Sequence, residues 1–582
     1  MNYFRQALGL LNTGEKRQMV SLLCLSAVAA IAQTVAILSI MPFIILLSNP
    51  AALATSPTLG RLDELMGADS PHQLLILLGI IGISALAIGN LFIALEQWLI
   101  QKYLSRLGHR IEKDLMRTML YRPFEYFSEH HSGRLSNVVL DQVERLVAGM
   151  IGAFITIVGN AALTAMIVLM LLFISLETTL ITLFALLAMY FTVFLFLKRR
   201  IAIHGEELTR LGGNIHTAVK ETLEGIREIK MNRAEGFFAR RFEKSSLQLS
   251  RLAVRSGVLA FLPNFVLETL VFSGLVGVGL YFAVVAESAG MSLSFIALYG
   301  MATYRLVPAL NGLFEGLSGM QHNGDAVRAV REHFENPEKD SSPSQKQSIG
   351  GGIRLKNVSY RYPHSDKDQL IGIDLDIPAG SSVCLFGESG AGKSTLLNVL
   401  AGLVRPRSGD VLCDGISISD VSLEIWRGNV GLCPQQVYLF DGTIASNIAF
   451  GAEEHEVDLE RVQLVGKLAM LERYVIENAS HGYQSMVGEG GHALSGGQRQ
   501  RVGIARALYK DANILILDES LVGLDAANQS AIVDNLFALK GKTLILSTHD
   551  GAVARRCDNV ILLDKGRLIT VGKYEDVIGE LP

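Results

Sequence analysis

Cysteine is scarce and unpaired in this 582-residue chain. Of the five cysteines, Cys24 falls in an apolar run, while Cys384, Cys413, Cys433 and Cys557 are scattered through the C-terminal part without CxxC spacing. The sequence therefore offers neither a structural zinc site nor a disulfide framework, and the C-terminal part is expected in a reducing compartment. An excess of one charge is lacking too, since 52 Lys and Arg stand against 56 Asp and Glu, a formal net charge of −4. A nucleic-acid binder needs a clustered basic footprint, so nucleic acid is not an expected partner. Nor is a cleavable leader expected. MNYFRQALGLLNTGEKRQ is amphipathic with a polar end, and the apolar run behind it is far longer than a signal-peptide core.

Long hydrophobic runs are what the chain has in abundance. Residues 19–48, 73–100, 148–175, 179–197, 256–284 and 291–319 each approach or exceed the roughly 20 residues that a helix needs to cross a bilayer. We read them as six transmembrane helices. The connections after the second and fourth runs (QKYLSRLGHRIEKDLMRTMLYRPFEYF, and KRRIAIHGEELTRLGG onward to Arg255) are helical in pattern and rich in Lys and Arg, whereas the other three contain a single basic residue, Arg61. The positive-inside rule then places both termini and the long basic pieces in the cytoplasm, where the helices continue as stalks. In the first outer connection Leu59, Leu62, Leu65 and Met66 are read as one face of a short helix, to rest on the outer leaflet or to pack on neighbouring helices. Arg305 falls near the middle of the sixth run, where a charge must be paired or face water; Glu268 in the fifth run is one candidate partner.

The polar stretch NPEKDSSPSQKQSIGG, Asn336 to Gly351, breaks this pattern as a linker would. From Ile353 onward short β-branched runs alternate with helical patterns, which reads as α/β. The expected organisation is an all-α transmembrane domain over 1–335, a linker over 336–351 and an α/β P-loop nucleotide-binding domain over 352–582.

Within that domain the strand-like SVCLF runs into GESGAGKS, which fits GxxxxGK[ST]. The loop Gly387, Glu388, Ser389, Gly390, Ala391, Gly392 offers backbone N–H groups to phosphates, Lys393 reaches the β and γ phosphates, Ser394 supplies a hydroxyl to Mg²⁺, and Thr395 follows on the helix. A second apolar strand, ILILDE, ends in two carboxylates. Asp518 is placed to hold Mg²⁺ through water, and Glu519 to act as general base on the attacking water.

Between these elements stands LSGGQ, and with it the chain resembles ATP-binding cassette exporters of the half-transporter type, six membrane helices followed by one cassette. The resemblance implies an ATPase coupled to export, with ATP and Mg²⁺ as cofactors, in a bacterial inner membrane. It implies that Tyr362 in YRYP stacks on adenine and that Gln435 in LCPQQ touches Mg²⁺ and the attacking water. His549 in LSTHD would contact the γ-phosphate, and Asp525 in VGLD would be the D-loop aspartate. Ser495, Gly496, Gly497 and Gln498 would serve ATP bound to the phosphate loop of an opposing cassette, so a pair is implied; a homodimer is the simplest, and a heterodimer stays open. Two departures stand out: Val522 and Gly523 in VGLD where the family has Ser-Ala, and THD for the usual AHR. MVGEGG, Met486 to Gly491, resembles the segment exporters use to sense their membrane domains, and the turns at 131–137 and 222–232 resemble the matching coupling helices.

For the cargo, SIMPFI, TYRLVPALN and VGEGG…LSGGQ together resemble bacterial flippases of lipid-linked oligosaccharide. Arg305 would then meet the pyrophosphate of the lipid. Exporters of peptides, drugs or other lipids share the architecture and remain the alternative.

Overall fold

The computed structural model describes residues 2–48, 53, 57–67, 70–130, 132–174, 176, 179, 180, 207, 211, 215, 218–285, 289–334, 350–363, 365–418 and 423–578. Two compact units emerge: residues 1–117 with 136–335, and residues 118–135 with 336–582.

The first unit is helical. Among the described residues three helices are long and apolar enough to cross a membrane, Thr13–Ser48, Pro71–Leu120 and Leu135–Ile174; the expected fourth span, 179–197, lies almost wholly outside the described residues. Two further long helices among the described residues are Glu235–Val285 and Ala289–His322. Pro42 and Pro308 sit inside their helices, as membrane helices tolerate. Small residues set the closest approach: a Cβ on Gly312 would lie 2.1 Å from the Asn160 amide, and one on Gly316 2.5 Å from Ile157. This Gly-x-x-x-Gly pair lets helix Ala289–His322 lie against helix Ala153–Ile174. The latter is preceded by two π-helical turns, Val138–Gln142 and Val147–Gly152. On the cytoplasmic side Arg110 pairs with Glu15 at 2.6 Å, joining the first two long helices.

Pro57–Met66 is a helix, with one correction to the expected face. Leu59 is buried with Leu46, Leu74 and Leu78, and Leu62 and Met66 pack beside them, but Leu65 is 83% exposed. Six positions after Leu59 at ~100° each, Leu65 lies roughly 120° off the stripe.

The second unit contains two sheets. β1 (Ile353–Tyr360), β2 (Leu370–Ile377), β4 (Ser408–Cys413) and β5 (Ile416–Ser417) form an antiparallel sheet in the order β2-β1-β4-β5. The other runs β10-β9-β3-β8-β7-β6, with β3 (Ser382–Phe386), β6 (Val430–Cys433), β7 (Ile514–Asp518), β8 (Thr543–Ser547) and β9 (Asn559–Asp564) parallel and β10 (Arg567–Gly572) antiparallel at the edge. β7 and β8 are buried along their whole length, as strands covered on both faces must be. Residues 118–135 join this unit: after Pro123 the chain forms the short helix Phe124–Glu129, and Glu125 Oε1 accepts a hydrogen bond from the Arg405 N–H at 3.1 Å. A contact of the cytoplasmic turn with the α/β part is thus made by the helix that Pro123 starts; residues 132–135 of the expected 131–137 turn belong to the same unit.

Candidate nucleotide site

The site is assembled from the carboxyl ends of four neighbouring parallel strands, where ligands of such sheets bind. β3 delivers the phosphate loop, β8 the Thr548–His549 pair, β7 Asp518 and Glu519, and β6 the segment carrying Gln435. The loop demands glycine. Gly387 has φ 149° and a Cβ there would meet the Leu563 carbonyl oxygen at 2.3 Å, while Gly392 has φ 103° with the Gln369 carbonyl 2.9 Å from the same position. Gly390 is left-handed as well. Glu388 contributes its carbonyl, which accepts from the Ala391 N–H at 3.1 Å. Lys393 opens the helix Lys393–Leu400, with Ser394 and a buried Thr395 behind it, and Ser389 stands exposed at the loop tip.

Lys393 is buried, and its ammonium donates to the Gly387 and Glu388 carbonyls at 2.7 and 3.1 Å. Burial pulls its pKa down, and the neighbouring Glu519 and Asp518 carboxylates oppose that shift. Glu519 has φ 44°, an unusual conformation for this residue type that clusters at functional sites. Its Oε2 accepts from the Gln435 amide at 2.7 Å, and its Oε1 lies 3.1 Å from His549 Nε2 and 3.8 Å from the Lys393 ammonium. His549 Nε2 is also 3.3 Å from that ammonium. It has one role at a time: it donates to Glu519 when protonated, or accepts from Lys393 when not.

Asp518 is 9% exposed, and its Oδ1 is buried with no hydrogen-bond partner. Burial raises its pKa, while the Ser394 and Ser547 hydroxyls pull it back and Glu519 adds to the rise. An orphaned buried carboxylate oxygen beside the Ser394 hydroxyl is a donor set that fits a hard divalent cation such as Mg²⁺. Tyr362 lies 3.5 Å by its hydroxyl from Thr395 and meets Tyr360 edge to face at 5.0 Å.

The structure brings Gln435, Glu519, His549 and Lys393 into one cluster; it does not bring Ser495, Gly496, Gly497, Gln498 or Asp525 into it. Ser495 caps the helix Gly496–Tyr509 in a reciprocal box with Gln498; Ser495 is exposed and Gln498 half-buried. Gly497 abuts the Gly523 carbonyl, where a Cβ would approach to 3.2 Å. Asp525 caps Ala526–Phe537, and the Asn528 N–H and amide hold its carboxyl below the usual range.

In the helical unit Arg305 donates to Asn90 at 2.9 Å. Among the described residues its hydrogen-bond partner is that amide, not Glu268, and its guanidinium lies 5.9 Å from the centre of the Tyr304 ring. The two line a cavity of about 260 Å³ with Gln33, Tyr304 and apolar neighbours. Sequence reasoning passed over Glu96, which is buried and accepts from Ser26 at 2.5 Å; a carboxylate inside an apolar run was the available signal.

A phosphate loop, paired carboxylates and membrane helices in one chain define a membrane transport ATPase. Two family models match in tandem: the ABC transporter transmembrane region over residues 18–307 and ABC transporter over residues 370–522. The chain belongs to the ABC transporter family as an exporter half-transporter. It is similar to the ATP-dependent lipid A-core flippases of Ralstonia nicotianae, 29% identical over 82% of this chain and 81% of that one, and of Chromohalobacter salexigens, 28% identical over 89% of each. A bacterial Atm1-family ABC exporter with ATP bound shares the fold, with a TM-score of 0.76 over 98% of this chain and 97% of that one at 22% identity. The protein is an ATPase coupled to transport, a multi-pass inner-membrane protein whose ATP-binding domain is cytoplasmic.

Proposed function

We propose that the protein flips a lipid-linked oligosaccharide across the inner membrane as a homodimer, driven by ATP. Glu519 is the general base, Gln435 orients the attacking water, and His549 and Lys393 take the γ-phosphate. Tyr362 carries adenine, and the loop Gly387–Thr395 wraps the phosphates. Ser394, Asp518 and Gln435 would hold Mg²⁺, which neutralises charge developing on the phosphates. Ser495, Gly496, Gly497 and Gln498 close the partner's ATP, with Asp525 at the same interface. Their outward, mutually capped arrangement supports this, since a helix N-terminus with two side-chain-free residues is open to an anion from outside. The relatives' lipid flipping supports a lipid cargo.

The observation that carries the cargo reading is Arg305. An arginine inside a membrane helix, held by a neutral amide rather than a carboxylate and lining a largely apolar cavity, is available to an anionic group that passes. The pyrophosphate of a polyprenyl-linked sugar is such a group. A second reading, export of a cationic amphiphile, is favoured by a larger cavity of about 810 Å³ lined by Glu112, Asp141, Glu144 and Glu315.

The test is reconstitution into liposomes with an assay of ATP-dependent movement of lipid-linked sugar between leaflets. Arg305→Ala should cut flipping strongly while ATP hydrolysis persists, and Arg305→Lys should restore it only in part because the fork geometry is lost. Full flipping by a stable Arg305→Ala protein overturns the cargo role of Arg305, and ATP-dependent transport of cationic amphiphiles but not lipid-linked sugar selects the second reading.

A further inference from the structure

Tyr360 closes β1 with its backbone fixed, its carbonyl accepting from the Gln369 N–H at 2.8 Å and its Cα paired with Leu370 across the ladder. The side chain is 3% exposed, and its hydroxyl is buried without a hydrogen-bond partner. Leaving a phenol hydroxyl in that state costs about 1–3 kcal/mol relative to a satisfied one, and native structures hold few such groups. Two residues on, and so on the same face of the extended chain, stands Tyr362. The rings meet at 5.0 Å and 86°, an edge-to-face contact through which a tilt of one ring displaces the other.

The cytoplasmic helix Phe124–Glu129 belongs to the same unit as β1. Glu125 is tied to the Arg405 N–H at 3.1 Å, and the same stretch is laced to β1 by the Arg407 N–H, which donates to the Ser359 carbonyl at 2.8 Å. The Glu125 carboxylate is thereby held beside the end of β1. Burial is the main cause that pushes the Tyr360 hydroxyl pKa up, and the charge of Glu125 is the next. A carboxylate accepts several hydrogen bonds, and one to Arg405 leaves capacity for another. The helix follows directly on Pro71–Leu120, whose apolar part is a membrane span, so a movement of that span is passed along the chain to Glu125.

We propose that Tyr360 is a positioning residue for the adenine platform: its hydroxyl bonds to Glu125 in the nucleotide-bound state, so that the cytoplasmic helix Phe124–Glu129 and Tyr362 are set together. This rests on the reading of Tyr362 as the residue under adenine. The membrane state then alters ATP affinity, and by linkage ATP binding biases the membrane state to the same degree. The role needs no new chemistry, only one hydrogen bond that two conformations share unequally.

A double-mutant cycle on the full-length dimer in lipid nanodiscs tests it, with the KM for Mg·ATP, kcat and the thermal midpoint measured for Tyr360→Phe, Glu125→Gln and the pair. Tyr360→Phe should raise KM roughly tenfold, the worth of one hydrogen bond to a charged acceptor, with a smaller change in kcat. Its midpoint should stay level or rise, because the hydroxyl it removes is unpartnered; a residue that merely supports the fold would lower it. Glu125→Gln should raise KM by less, because its amide oxygen still accepts from the hydroxyl but carries no charge, and the pair should be no worse than Tyr360→Phe alone. An unchanged KM in Tyr360→Phe, or effects of the two changes that multiply in the pair, overturns the proposal. Tyr362→Ala separates the two readings: if it leaves KM unchanged, the adenine platform itself is misplaced, whatever Tyr360 does.

Discussion

Replacing Asp518 by asparagine should make the protein more stable without nucleotide and unable to gain stability from Mg·ATP. The reason is the orphaned Oδ1, a carboxylate oxygen in a buried site with no donor to satisfy it. Such a group costs about 1–3 kcal/mol, more when charged, and a unit of this size shifts its melting midpoint by roughly 2–4 °C per kcal/mol. A rise of about 2–12 °C is therefore expected for Asp518→Asn in nucleotide-free buffer with chelator. The sign of the pH dependence follows from the raised pKa of Asp518. Folding favours its protonated form, so the stability this site allows is present below its unfolded pKa and lost as pH rises through the folded one. The advantage of the variant should accordingly vanish on acidification below the ordinary carboxylate range and be complete at neutral pH. With Mg·ATP at about 100 times its Kd the wild type should gain about 2.7 kcal/mol by mass action, which the variant forfeits. Intrinsic fluorescence reads this unit well, because Trp426 is fully buried in it. A variant that melts lower without ligand, or that keeps the Mg²⁺-dependent gain, refutes the assignment of Asp518.

Glu519→Gln should slow ATP hydrolysis by roughly 10²-fold or more, the least a positioned base contributes, while nucleotide binding survives; phosphate release at close to the wild-type rate would remove Glu519 from the role. For the composite site, a mixed dimer of one Lys393→Ala chain and one Ser495→Arg chain gathers both lesions in one site and leaves the other whole. It should hydrolyse ATP well above either mutant homodimer, and activity as low as theirs would count against the cross-dimer arrangement, or show that both sites must fire together.

How much of this was legible depends on how far apart in the chain the parts lie. The phosphate loop and the paired carboxylates were readable because strand, turn and reacting residues are contiguous, and SVCLF and ILILDE carry their own burial signal. Gln435 and His549 come from two other strands; no local pattern draws them to Glu519, and only likeness to a family suggested them. Leu65 was misassigned because four apolar residues in eight positions look like one face until the ~100° step is counted strictly. The Phe124–Glu129 helix had a signal in Pro123, a residue that starts helices, but the polar HSGRLSN behind it was the more conspicuous turn. Arg305 was rightly suspected of needing a partner. That the partner is Asn90 could not be read, since an amide carries no charge to match and the two residues lie on different helices.

The arrangement around Glu519 also explains why an ATPase of this kind need not idle. Both carboxylate oxygens are engaged, one by Gln435 and the other by His549 with Lys393 nearby. On the proposed roles, at least one oxygen must be freed before Glu519 can accept a proton from water, and a hydrogen bond to a charged group holds about 1.5–3 kcal/mol against that release. The groups that hold it are the ones the γ-phosphate attracts: a phosphate oxygen outcompetes a carboxylate for the Lys393 ammonium and gives His549 a second acceptor. On these roles ATP would release the base that is to act on it, in the cassette that binds it. The signature of the proposed partner would then set whether the released base faces a closed, water-poor site or an open one. Restraint by Gln435 and His549 and closure by Ser495 would act in series, so that on this proposal neither ATP alone nor dimer contact alone suffices for fast turnover.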